Sequence, residues 1–429
     1  MFINELLVEK MNIDTLDVYP SCLEGEVSLS GAKNSVLKLL AASLLTEGEV
    51  TIENFPASLS DAQIHVRMLE KLGKECVFDK ESDTLSIKQV KDAVSELEWS
   101  ERSIRNTLLI LGALFAKTGT GSVPQPGGCK LGDRKYDIHL DILKKFGAKI
   151  FEDDLELKAV RTGALKATDI RLPMRSTGAT ENAILIGCLA EGNTNIWNPH
   201  IRPEVIDLIT MLNKMGAKIQ VKGQERIVIK GVSKLSGVKH RVIADNMEAL
   251  TWTIAASITN GFVEIKDFPF EHLEVPLVFL RESGCKIYRD GSNAIVKGSE
   301  IYPLEISTGP YPGINSDMQP LLAAYAACAH GHSTIVDLRF LGRYAYASQF
   351  SKMNVESSIS NTTLQIMGRG RESLVAAEVE ATDLRAGISL ALLGLACKDG
   401  VTRISNAWQI ERGYCYFKDK LRSLGAEIS

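Results

Sequence analysis

The chain has 429 residues, 45% of them hydrophobic and 24% charged, with a formal net charge of −4. This is the balance of an ordinary globular protein, and with no dense basic tract it gives no electrostatic reason to expect a nucleic-acid partner. The longest apolar runs, 108–116 and 388–397, are too short to span a bilayer. The opening MFINELLVEKMNID has neither a basic start nor a small-residue cleavage site, so it reads as a short extension and not as a secretory signal.

Taken in chain order, one pattern is written six times. Each copy opens with an Ala/Leu-rich helix, passes a Gly into a V/I-T-I strand, turns at Pro or Asn, and continues into an amphipathic helix. That second helix ends in LG or MG in three of the copies, and a polar strand follows. The copies begin near Lys33 (GAKNSVLKLLAASLL), Arg105 (RNTLLILGALFAKTG), Gly178 (GATENAILIGCLAEG), Asn246 (NMEALTWTIAASITNG), Asp317 (DMQPLLAAYAACAHG) and Asp383 (DLRAGISLALLGLACKDG). The period, roughly 70 residues, exceeds that of the common solenoids and predicts a βαβαββ unit. Apolar helices of neighbouring units must share a core, and one core stops growing at about 250–300 residues. Two domains of three units each are therefore expected, with the hinge near residues 236–246 and a ligand cleft between the domains.

The eight cysteines form no C-x-x-C pair, which argues against zinc and for a reduced, cytoplasmic compartment. Cys188, Cys328 and Cys397 fall inside apolar helix patterns and read as core. Cys129 differs. It stands in PQPGGCKLGDRKYDIH, between glycines and beside Lys130, Arg134 and Lys135. A loop thiol near cations has a lowered pKa and is a candidate catalytic group; the alternative is a turn that happens to carry a cysteine.

Polar and charged residues recur where the repeats start: Lys33 and Asn34, Arg105, Ser176 and Thr177, Asp317, and Asp383 with Arg385. Helix N-termini attract anions, so convergence of these starts would make a pocket for an anionic substrate. Asp317 lies in GPYPGINSDMQPLL and reads either as a helix N-cap or as a general base.

SGAKNSVLKLLAASLL, PQPGGCKLGDRKYDIHLDILKKFGA, STGATENAILI, NSDMQP, ATDLRAGISLAL and ERGYCYFKDKLRSLGA together resemble the enolpyruvyl transferases, from about residue 11 to the C-terminus. Within them the resemblance is to the branch that acts on UDP-N-acetylglucosamine, because the branch acting on shikimate 3-phosphate lacks the GGC loop. The resemblance implies a two-domain inside-out α/β barrel. One domain is 33–243, with three repeats and the Cys loop; the other is 1–32 plus 244–429, and the two close on the substrates. The implied reaction transfers enolpyruvyl from phosphoenolpyruvate to the 3-hydroxyl of UDP-N-acetylglucosamine, through a tetrahedral intermediate and with release of phosphate. This is the first committed step of peptidoglycan synthesis. No cofactor and no metal are expected, and a monomer or weak homo-oligomer with no membrane partner.

By the same resemblance, Lys33, Arg105, Arg134 and Arg412 would grip the phosphate region, and Arg343 and Arg385 the carboxylate. Cys129 would protonate the methylene carbon or form an adduct at C2. Asp317 would deprotonate the acceptor hydroxyl, and Asn34 would orient the sugar. Asp137 and His139, with Ser176, Thr177 and Gly178, would lie on the nucleotide side. Three places depart from the family pattern. Lys135 and Tyr136 stand for Pro and a small aliphatic residue, Leu341 and Gly342 for Glu-Asn, and Met174 for a Lys. All border the acceptor, so a paralogue using another uridine nucleotide or nucleoside is the alternative. A non-catalytic binding module is the remote one.

Overall fold

The structure, a computed structural model, describes residues 14–127, 135–340 and 342–429; Cys129, Arg134 and Leu341 lie outside the described residues. Two compact units emerge, one built from residues 31–127 and 135–243, the other from 14–30 and 244–429. The chain passes from one to the other after Ser30 and after Ile243.

Each unit holds three helices that begin its repeats: Lys33–Ala42, Thr107–Thr118 and Thr177–Gly187 in the first, Asn246–Ile258, Gln319–Ala327 and Leu384–Ala396 in the second. All six begin within two residues of the starts read from the sequence. The three in the second unit are buried along their whole length, which is why they are apolar on every face. The partner helices of the repeats are one-sided. In Asp137–Lys145 only His139, Ile142 and Leu143 are buried, spaced three and four apart. The strands alternate buried and exposed residues, as in Asn193–Trp197 and Arg226–Lys230, so each sheet packs one face inward and turns the other outward.

A typical repeat runs Asp169–Arg171, the inner helix, Asn193–Trp197, the helix Pro203–Lys214, then Lys218–Lys222 and Arg226–Lys230. The first two strands pair in parallel across the inner helix, and the last two add as an antiparallel hairpin. The sixth repeat lacks that hairpin. There Thr15–Val18 pairs antiparallel with Thr402–Ser405, and Val18 bridges to Ile428. Two backbone devices recur. After the V/I-T-I strands, Asn54, Asn198, Asp267 and Asn406 take left-handed φ of 49–57°. After the amphipathic helices, Gly73, Gly147, Gly216, Gly284 and Gly425 take positive φ of 82–100°, with Asn354 at 65° in the fifth copy. These are the residues that tolerate the left-handed helix end.

Buried polar contacts link successive repeats of the first unit into a ring. His65 on Ser60–Lys71 meets Asn106 before the second inner helix, at 3.2 Å. His139 meets Asn182 on the third, at 3.1 Å. Asp207 on Pro203–Lys214 accepts from Ser35 on the first. In the second unit Tyr414 and Thr251, 2.7 Å apart, close the sixth repeat onto the fourth. Cys188, Cys328 and Cys397 are buried, as their apolar surroundings predict. No described helix is long and apolar enough to cross a membrane.

Candidate active site

In the first unit, Lys33 is the first residue of its helix and is buried. Its ammonium lies 2.9 Å from Asp61 Oδ2, and Asp61 Oδ1 accepts from Arg102 Nη2. Asp61 sits in the first turn of Ser60–Lys71 and is itself buried. One carboxylate thus braces two cations, and neither Asp61 nor Arg102 was singled out by the sequence. Asn34, beside Lys33, is half-buried. Arg105 precedes the second inner helix and donates from Nη2 to the Lys135 carbonyl at 2.8 Å. Asn106 anchors that helix start by donating to the Leu37 carbonyl at 2.7 Å.

The STG segment begins the third inner helix. Ser176 is its N-cap position but makes no side-chain cap bond. Thr177 Oγ1 lies 2.8 Å from His200 Nδ1. Gly178 packs on His139 so closely that a Cβ would meet Nε2 at 3.1 Å. His139 is buried, and an Asn182 amide nitrogen can only donate to its Nδ1. Burial, with Arg105 adding to it, pushes the imidazole down to about 3. It is therefore a neutral support beneath the STG segment. Asp137 is exposed at the first position of its helix. Tyr136 turns its hydroxyl to Gln125 Oε1, at 3.0 Å, and to Glu152.

In the second unit, Asp317 lies just before Gln319–Ala327. The N-cap position is Met318 and no side chain caps this helix, so the N-cap reading of Asp317 is corrected. Asp317 Oδ1 instead accepts from Arg343 Nη1 at 2.7 Å, and Oδ2 lies 3.9 Å from Arg385 Nη2. Asp383 caps the next inner helix, accepting from the Arg385 and Ala386 amides. Arg343 also donates to Ser316 Oγ at 3.1 Å, and Ser316 donates to Asp337 at 2.6 Å. Gly342 adopts φ +75°, which explains a Gly where the family has Asn: both accept left-handed backbone.

Both arginines are buried. Burial opposes their charge, but on Arg343 the Asp317 and Asp383 carboxylates outweigh it. On Arg385 the Tyr414 oxygen, Asp317 and Asp245 do the same. Both guanidinium groups are held above their ordinary range. Among the described residues, Arg343 Nε and Arg385 Nε are buried without a hydrogen-bond partner. Buried donors lacking an acceptor are costly, so this arrangement suits an anionic ligand. Arg412 is also buried; its Nη1 donates to Gln409 Oε1 at 3.2 Å and its guanidinium lies over Trp408. Among the described residues no three His, Cys, Asp or Glu side chains are grouped to hold a metal.

The family model for EPSP synthase (3-phosphoshikimate 1-carboxyvinyltransferase) matches residues 19–421. UDP-N-acetylglucosamine 1-carboxyvinyltransferase 1 of Caldanaerobacter subterraneus subsp. tengcongensis is 38% identical, covering 95% of this chain and 96% of its own. UDP-N-acetylglucosamine 1-carboxyvinyltransferase 2 of Staphylococcus saprophyticus is 36% identical over the same shares. Among solved structures, the enolpyruvyl transferase NikO from Streptomyces tendae superposes with a TM-score of 0.87 at 24% identity, covering 97% of this chain and 98% of its own. EPSP synthase from Acinetobacter baumannii gives 0.74 at 18% identity, covering 97% and 99%. At such identities the structures speak for the fold, the inside-out α/β barrel; the sequence matches speak for descent. The chain belongs to the EPSP synthase family of enolpyruvyl (1-carboxyvinyl) transferases.

Proposed function

We propose that the chain transfers the enolpyruvyl group of phosphoenolpyruvate to the 3-hydroxyl of UDP-N-acetylglucosamine and releases phosphate. The observation that carries the reading is Asp317 set between two buried guanidinium groups whose Nε–H donors have no acceptor among the described residues. A carboxylate so placed can take the proton of an acceptor hydroxyl, and the arginines can hold a carboxylate beside it. The acceptor follows from the relatives, which carry UDP-N-acetylglucosamine in their names at 35–38% identity.

The steps balance as an addition and an elimination. A proton is added to the methylene carbon of phosphoenolpyruvate while the sugar oxygen bonds to C2, and the hydroxyl proton goes to Asp317. A proton then leaves the new methyl group for the Cys129 thiolate as the C2–O bond to phosphate breaks, which restores the carbon–carbon double bond, and the departing phosphate takes the proton held by Asp317. Cys129 supplies the first proton in this reading. Lys33, Arg105, Arg134 and Arg412 neutralise the phosphate region, Arg343 and Arg385 the carboxylate. Asn34 orients the sugar, while Asp137, Ser176, Thr177 and Gly178 serve the nucleotide side with His139 beneath them. Purified protein given both substrates should release phosphate and yield a nucleotide sugar heavier by one carboxyvinyl group. No phosphate release with UDP-N-acetylglucosamine present would overturn the reading.

A further inference from the structure

We infer that Tyr414 is a positioning residue for Arg385, holding its guanidinium through a hydrogen-bond relay that ends on the fourth repeat's inner helix. Arg385 Nη1 lies 3.2 Å from the Tyr414 hydroxyl. That hydroxyl lies 2.7 Å from Thr251 Oγ1, and Thr251 Oγ1 donates to the Met247 carbonyl at 2.8 Å. All three side chains are buried.

The direction of the relay follows from the chemistry of its ends. A guanidinium has donors only, so the Tyr414 oxygen accepts. A backbone carbonyl accepts only, so the Thr251 hydrogen is committed to Met247. The Tyr414 hydrogen must then go to Thr251. Every donor and acceptor in the row has one assignment, Arg385 to Tyr414 to Thr251 to Met247. Burial holds the phenol above its ordinary pKa, opposed by Arg385, so the hydroxyl keeps the hydrogen the relay requires.

The relay links two inner-helix N-termini. Arg385 is the second residue of Leu384–Ala396, and Met247 the second of Asn246–Ile258. The Tyr414 ring is fixed independently, edge-on to Phe417 at 5.7 Å, and Phe417 stacks on Trp252 at 5.9 Å. Removing only the oxygen therefore leaves the ring in place. What is lost is the acceptor on one side of Arg385, leaving the Asp317 carboxylate at 3.9 Å and the weaker pull of Asp245 on the guanidinium. The group would lean toward Asp317 and away from a bound carboxylate.

This inference rests on Arg385 being a ligand of phosphoenolpyruvate, and the test separates the two. Steady-state kinetics with both substrates and thermal denaturation would be measured for Tyr414→Phe, Thr251→Val, the double variant and Arg385→Lys. In Tyr414→Phe the KM for phosphoenolpyruvate should rise about 10-fold, the usual worth of a hydrogen bond to a charged group, while the KM for the nucleotide sugar and the melting temperature stay near wild type. Thr251→Val should act in the same direction, and the double variant should show less than the sum of the two effects. An unchanged KM for phosphoenolpyruvate in Tyr414→Phe, with Arg385→Lys raising it, overturns the relay alone. An unchanged KM in Arg385→Lys overturns the ligand reading beneath it. A fall in melting temperature with both KM values moving together would mark Tyr414 as structural and overturn the inference.

Discussion

Asp317 Oδ1 and Arg343 Nη1 are 2.7 Å apart, and this pairing, not helix capping, is what holds the carboxylate. The side chain of Asp317 keeps 29% of its surface while that of Arg343 keeps 5%. The acid is therefore reachable and its partner is not. Asp317→Asn keeps an oxygen for Arg343 and loses the base. Its kcat should fall roughly 10²–10⁴-fold, the range of general acid–base catalysis, with a smaller loss of melting temperature than a fully buried pair would show, because Asp317 is partly exposed. Unchanged kcat with a lowered melting temperature would assign Asp317 to structure alone.

Asp61 offers a contrasting case in the first unit, where one buried carboxylate faces Lys33 and Arg102. Removing one partner of a buried ion pair leaves the other charged and buried, at a cost on the order of 3–5 kcal/mol. Asp61→Asn should thus lose stability in urea denaturation as well as kcat/KM. Because Lys33 would be free to reorient, the loss in kcat/KM should exceed that in Arg102→Ala. Equal kinetics in the two variants would count against Asp61 as the residue that places Lys33.

The repeats and the inner helices are legible in the sequence because an all-round apolar helix between a Gly and a V/I-T-I strand has few other structures open to it. Lys33, Arg105 and Arg385 are legible because they stand at the starts of those helices. Asp61 and Tyr414 are not. Asp61 occupies the first turn of an amphipathic helix, where an acid is ordinary, and its partner Lys33 belongs to another helix. Tyr414 stands inside the ERGYCYF stretch, but only the fold brings Thr251 to its hydroxyl. At Lys135 and Tyr136 the fold shows contacts within the protein. The Arg105 contact uses the Lys135 carbonyl, which a Pro would also offer, and the Tyr136 hydroxyl braces the neighbouring sheet.

Glu181 gives a pH signature in stability. Burial pushes its carboxyl up to about 7, with Lys38 pulling the other way from 3.9 Å. An unfolded glutamate titrates near 4.3. A raised folded pKa means the folded state holds the proton more tightly, so this contribution is complete below the unfolded value and is lost as pH rises toward 7. Glu181→Gln removes that loss. Its stability relative to wild type should increase between pH 5 and pH 7.5, read from urea midpoints; a flat or falling difference would contradict the assignment. His65 and His139, both pushed down to about 3 by burial, act in the opposite sense: their contribution is lost as pH falls below about 6.5. They are common to both proteins and cancel in the difference.

Cys129 lies outside the described residues, so its prediction stands on the loop sequence and the family resemblance. If it delivers the proton to phosphoenolpyruvate, Cys129→Ala should abolish turnover while leaving the fold intact. Cys129→Asp keeps a proton donor and should retain part of the activity. The epoxide fosfomycin should add one mass equivalent at Cys129 in the wild-type protein and leave Cys129→Asp unmodified. Peptide mapping decides the point, and an adduct on any other cysteine, or full activity in Cys129→Ala, would reject the role.

The acceptor is where sequence and structure pull apart, and so it is the most useful test. Five residues that the family resemblance sets beside the acceptor depart from the family pattern, which argues for a changed preference. Four of them are described, and three make contacts that bear on the point. Gly342 meets a backbone requirement at φ +75°, Tyr136 directs its hydroxyl to Gln125 and Glu152, and Arg105 donates to the Lys135 carbonyl. Each of these contacts is made within the protein. A pocket discriminates strongly only where its polar groups gain or lose partners. The expected outcome is therefore that UDP-N-acetylglucosamine is used faster than UMP or other UDP-sugars when all compete at equal concentration. Tyr136→Val should leave that order unchanged and mainly loosen the hairpin bearing Glu152. If UMP or a uridine nucleoside wins the competition in wild type, the chain is a paralogue with another acceptor, and the difference must then lie in residues other than these three.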